Sequence, residues 1–100
     1  MASNYPGFIS ALEKTDPKLF ESVSRIFDLA MSPGELDART KILISLAIDA
    51  FANSAEGVKH LAGVARSMGV TEGQIAETLR IAYQISGNKT LAAIQAAYEK

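Results

Sequence analysis

The feature of this sequence that most limits its fold is its punctuation. Helix-start signals recur at Asp16-Pro17, Asp37, Asn53-Ser54 and Thr71, and each is followed by apolar residues at three- and four-residue steps. A side-chain oxygen ahead of a first turn accepts a backbone N–H that otherwise has no partner, and proline at the first helical position sacrifices no hydrogen bond. No stretch alternates apolar and polar residues over the length of a strand, so the chain reads as all-α.

About six helices follow from these signals. A short first one is expected over Phe8 to Glu13, anchored by Phe8, Ile9 and Leu12. The second opens at Asp16-Pro17, carries the stripe Leu19, Phe20, Val23, Ile26, Phe27 and Ala30, and ends in "MSPGEL", where Pro33 and Gly34 halt it. Asp37 caps a third helix to about Ala52. Its apolar residues, Leu43, Ile44, Leu46, Ala47, Ile48, Ala50 and Phe51, cover nearly the whole circumference, which predicts a helix packed on all sides at the centre of the core. Asn53 or Ser54 caps the fourth, with Glu56 near the position used by a capping box. Val58, Leu61, Ala62, Ala65 and Met68 form its apolar face, and Gly69 is placed as a left-handed stop. Thr71 with Gln74 opens a fifth helix bearing Ile75, Leu79, Ala82, Tyr83 and Ser86, stopped by Gly87. A last helix is predicted from Thr90 to Glu99, and Tyr83 and Tyr98 are expected in the core with their hydroxyls at an edge.

One hundred residues suit a single domain spanning 1–100. So small a core has modest stability unless partner subunits share it. Ten Lys and Arg against eleven Asp and Glu give a net charge of -1, with the signs interspersed. That argues against a nucleic-acid partner, which requires a basic footprint. The chain has no cysteine, which excludes a disulfide framework, a thiolate metal site and a thiol redox cycle run by this chain alone. The N-terminus lacks the basic and apolar regions of a secretory signal, and "ILISLAIDAFA", interrupted by Ser45 and Asp49, falls well short of the ~20 apolar residues of a membrane span. A cytoplasmic protein without a membrane partner is expected.

The stretches "LDARTKILISLAI", "GVTEGQIAETLRIA" and "ISGNKTLAAIQAAYE", in this order and at these spacings, resemble the carboxymuconolactone decarboxylase and alkylhydroperoxidase D-like superfamily over about residues 36–99. The resemblance implies the helical bundle of that family, assembled as a homo-oligomer, a trimer or hexamer. Members of its peroxidase branch carry a CxxC pair at the start of the fourth helix, a histidine four residues later and a glutamate on the preceding helix. Laid on this sequence without gaps, those positions are Ser54, Gly57, Leu61 and Ile42. All four functional groups are absent. A serine hydroxyl is far less acidic than a thiol, and glycine, leucine and isoleucine move no protons. Thiol peroxidase chemistry, which the family label would suggest, is therefore excluded at this place. The decarboxylase branch lacks the cysteines, and "EGVKH" offers Glu56 and His60 for its glutamate–histidine pattern at the cost of one inserted residue.

The helical turn of about 100° per residue separates the two alignments. Leu61, Ala62, Ala65 and Met68 cluster on one side of the fourth helix and His60 points away from them, which favours the ungapped match. His60 reads as a solvated or interface histidine, with a catalytic base as the alternative. Asp49 lies seven residues after Ile42 and returns to nearly the same face. It either replaces the family carboxylate two turns along or bonds Ser45, Asn53 or the amides opening the fourth helix. Ser54 reads as an N-cap or, alternatively, as a nucleophile. No phosphate loop, metal-ligand set or cofactor motif stands out. The resulting expectation is an oligomeric scaffold or small-ligand binding domain that has lost thiol catalysis, against a residual acid–base enzyme acting on a small carboxylated or lactone-like substrate.

Overall fold

The computed structural model describes residues 5–99, and all regular structure among them is helical. The chain falls into two compact units, one through Gly34 and one from Glu35 onward.

In the first unit, α1 (Gly7–Ser10) and α2 (Leu12–Thr15) are single turns meeting at Ala11, so the expected helix over Phe8 to Glu13 is two short pieces. The longer α3 (Pro17–Met31) starts as its cap and proline dictate, with Asp16 Oδ1 accepting from the Leu19 N–H at 3.1 Å. Its covered face holds Val23, Ser24 and Phe27, and α1 contributes Ile9. The Tyr5 ring stands edge-on to Phe20 and Phe27, at centroid distances of 5.8 and 5.4 Å. Tyr5 OH donates to Asp28 Oδ2 at 2.9 Å, which raises its pKa above the ordinary phenolic value.

In the second unit, α4 (Ala38–Phe51) packs against both α5 (Ala55–Ser67) and α6 (Glu72–Ile94). Asp37 caps α4 by accepting from the Thr40 N–H at 2.8 Å, and that bond holds its carboxyl below the usual aspartate range. The core is small: Leu46, Ala62, Ala65, Val70 and Ile75, with Ile42, Leu43, Val58, Leu61 and Leu79 packed around it. Only Leu46 is a large side chain with no exposure.

Both ends of α5 follow the sequence. Gly69 adopts φ +84°, Val70 N–H bonds back to the Ala65 carbonyl at 3.0 Å and Gly69 N–H to that of Arg66 at 3.0 Å. This is a Schellman stop, completed by the buried Val70. Thr71 and Gln74 then form the predicted capping box. Arg66 clamps Glu72 with two hydrogen bonds of 2.7 and 2.9 Å, holding the glutamate carboxyl low and the guanidinium high.

Three expectations are corrected. Gly87 does not stop a helix: α6 continues through it to Ile94 and closes in a 3-10 turn, Gln95–Tyr98, instead of a separate last helix. Gly87 has ordinary negative φ and an added Cβ would meet nothing within 4 Å, so it remains helical at only the usual entropic cost. Second, α4 is not enclosed. Its side bearing Leu46 is covered, while Ile44, Ile48 (61% exposed) and Phe51 face outward on the opposite side. Third, Tyr83 and Tyr98 are 78% and 75% exposed, because α6 is covered only on the side of Ile75 and Ala82.

Candidate functional site

The chemistry-bearing residues meet where α4 turns into α5. Asn53 takes φ +60°, a left-handed conformation that asparagine tolerates better than most residues. Ser54 N–H bonds to the Asp49 carbonyl at 2.9 Å and Asn53 N–H to that of Ala50 at 3.1 Å, a second Schellman stop with asparagine in the glycine place. Ser54, not Asn53, then caps α5, its Oγ accepting from the Gly57 N–H at 3.3 Å. The third helical position, where a capping box places its acid, is Gly57, and Glu56 lies one residue short of it.

This tight connection brings the last turn of α4 over the first turn of α5. Asp49, half-buried, lies against Gly57. A Cβ added there would sit 2.8 Å from Asp49 Cγ and 2.8 Å from Ser54 Oγ. The carboxylate therefore fills the space that a side chain at position 57 would need, and a negative charge is favourable beside the opening turn of a helix. The Asp49 carboxylate accepts no hydrogen bond from the described residues, and the Ser45 hydroxyl expected to meet it donates to the Lys41 carbonyl at 2.8 Å. Asp49 thus reaches the start of α5, as one of its two sequence readings has it, without bonding Ser45 or Asn53.

His60 belongs to a different surface. It is exposed, and it lines a groove of about 520 Å³ with Glu56, Lys59, Gly63, Val64 and Ser67, all of them on α5. A second concavity of about 550 Å³ lies along α6 from Tyr83 to Leu91. Asp49 and Ser54 line neither. Ile42 and Leu61, at two of the positions implied by the resemblance, pack against the core, so neither presents a polar group to the corner. Among the described residues no cluster of three or more histidine, aspartate or glutamate side chains is arranged for a metal ion. No helix among them is long and apolar enough to cross a membrane.

Sequence reasoning placed Asp49 and Ser54 near each other but missed Gly57 as their meeting point. The signal was present: a carboxylate in the last turn of one helix, a three-residue connection, and a glycine in the first turn of the next.

The described residues thus form an all-α fold with a capped α4–α5 corner, in a chain without cysteine. The sequence matches the carboxymuconolactone decarboxylase family over residues 17–99, and the chain belongs to that family. The match begins at the first residue of α3, earlier than the stretch from residue 36 that carries the resemblance on inspection. No curated protein and no solved structure matches the chain.

Proposed function

We propose that this protein works as a thiol-independent, homo-oligomeric helical scaffold that binds a small ligand, the oligomer being a trimer or hexamer as the family resemblance implies. The observation that carries the reading is the apolar surface left open on α4 by Ile44, Ile48 and Phe51, directly behind the corner where Asp49 stands in the side-chain space of Gly57. A soluble chain gains by covering such a face, and covering it fixes the helix that holds Asp49. Light scattering on the purified chain should give three or six times its 10.7 kDa mass. Incubation with a hydroperoxide and a dithiol reductant should give no turnover. A monodisperse monomer, or peroxide consumption by the pure chain, would sink the proposal.

A second reading has its own support in the Asp49 carboxylate, which lies beside Ser54 without a hydrogen-bond donor among the described residues. Such a carboxylate suits a general base acting on a small carboxylated or lactone-like substrate. Any such turnover should fall by about 10²–10⁴-fold in Asp49→Asn and survive His60→Ala. Loss with His60→Ala alone would place the chemistry in the α5 groove instead.

A further inference from the structure

Every residue from Asn88 to Glu99 is exposed, and the 3-10 turn that ends this segment touches no element other than α6. The segment is nevertheless apolar along one side: Leu91, Ile94 and Tyr98 follow one another at three- and four-residue steps and are all open. At its base, Lys89 Nζ stands 4.4 Å from the centre of the Phe51 ring, the last residue of α4. From there on α6 has passed the end of α4, and nothing in its own unit covers it. The open stripe on α4, Ile44, Ile48 and Phe51, has the same length, seven residues or about 10 Å of helix.

From these two stripes, both left open by their own unit, we infer that the arm 88–99 is exchanged between copies of this chain, lying antiparallel along α4 of a second copy. Leu91 meets Phe51, Ile94 meets Ile48 and Tyr98 meets Ile44. The same register sets Glu99 opposite Leu43, two residues from Lys41, which is of opposite charge. Reciprocal exchange within a pair of copies, three of which make the hexamer, uses both stripes twice, covering on the order of 1,000 Å² per pair, the area at which an interface becomes stable. Gly87 is the hinge that sets the choice. The chain reads as broken there, yet α6 continues through it as one helix, and a continuous α6 carries the arm past the end of its own α4 and offers it to a neighbour. Exchange of an identical element is a low-cost route to a dimer when a hinge permits both positions. This inference rests on the homo-oligomeric reading and specifies the segment that builds the assembly.

The absence of native cysteine makes introduced thiols clean reporters. Two differently tagged chains, one Ile48→Cys and one Ile94→Cys, are co-expressed, oxidised mildly and run without reductant, with light scattering on the unsubstituted chain alongside. The expected result is a dimer-sized band carrying both tags. It should exceed by roughly tenfold the band from the misregistered pair Ile44→Cys and Leu91→Cys, since Cα atoms more than about 7 Å apart cannot be bridged. Equal bands from the two pairs would overturn the register and with it the inference. If a single chain carrying both Ile48→Cys and Ile94→Cys closes on itself as a monomer, the arm folds back and exchange is wrong. An oligomer by scattering with no cross-link overturns the exchange and leaves the oligomeric reading standing. A monomer by scattering overturns both.

Discussion

At the scale of single residues, the informative contact is the one between Asp49 and Gly57. The two are eight positions apart and on different helices, and only the left-handed Asn53 and the Ser54 cap bring them together. Asp49 and Ser54 were legible as candidates because polar residues stand out on an apolar helix and at a helix start. Their meeting at Gly57 was not, since periodicity describes faces within one helix and says nothing of how the next helix crosses it. The contact predicts a strong coupling. Gly57→Ala should cost about 1–3 kcal/mol through overpacking, despite alanine's better helix propensity. Asp49→Ala removes the colliding carboxylate, so the double variant Asp49→Ala/Gly57→Ala should regain the carboxylate's share of that loss, with Ser54 Oγ still 2.8 Å from the new Cβ, a coupling of at least about 0.5 kcal/mol. Urea melts of the four proteins measure it. Strict additivity would mean that Asp49 does not occupy this space in solution.

At the scale of elements, the contrast between Gly69 and Gly87 shows which part of helix punctuation a sequence reveals. Both follow an apolar stripe and both read as stops. Gly69 is followed by Val70, which is buried against the core, and by the Thr71 cap of the next helix, so a left-handed turn gains contacts on both sides. Gly87 is followed by Asn88, Lys89 and Thr90, none of them buried, so a turn there gains nothing and the helical hydrogen bonds continue. What separates the two glycines is tertiary packing on the residue after them, which local pattern does not report. The register of α5 was legible for the opposite reason: its stripe packs on the core where the 100° turn puts it. Leu61→Lys should therefore cost about 3 kcal/mol by forcing a charge toward the core, whereas His60→Ala should lie within about 0.5 kcal/mol of the parent. Denaturant melts in which His60→Ala proves the more damaging would reverse the faces of α5.

At the scale of the molecule, the lesson concerns α4. Its composition announces a helix apolar all round, and a helix of that kind must be covered all round. The second unit has only α5 and α6 to offer, and they cover the side of Leu46 while Ile44, Ile48 and Phe51 stay open. The sequence thus leads one to expect an enclosed α4, whereas its own unit covers only the side of Leu46. The consequence is thermodynamic. If copies of the chain provide the rest, stability depends on protein concentration, by about 1.4 kcal/mol for each tenfold change in a dimeric contact. The midpoint of thermal unfolding should then rise steadily as the protein is concentrated. Ile48→Lys should abolish that rise. On a face that stays wet, the same substitution would cost no more than about 0.5 kcal/mol, because a solvated lysine on a helix surface is well tolerated. On a face closed by another copy it buries an unpaired ammonium, and the assembly is lost while the helices of the separate chain persist. Circular dichroism melts across a concentration series, with and without Ile48→Lys, distinguish the two. A midpoint that does not move with concentration in the parent protein would make the apolar back of α4 a solvent-facing surface after all.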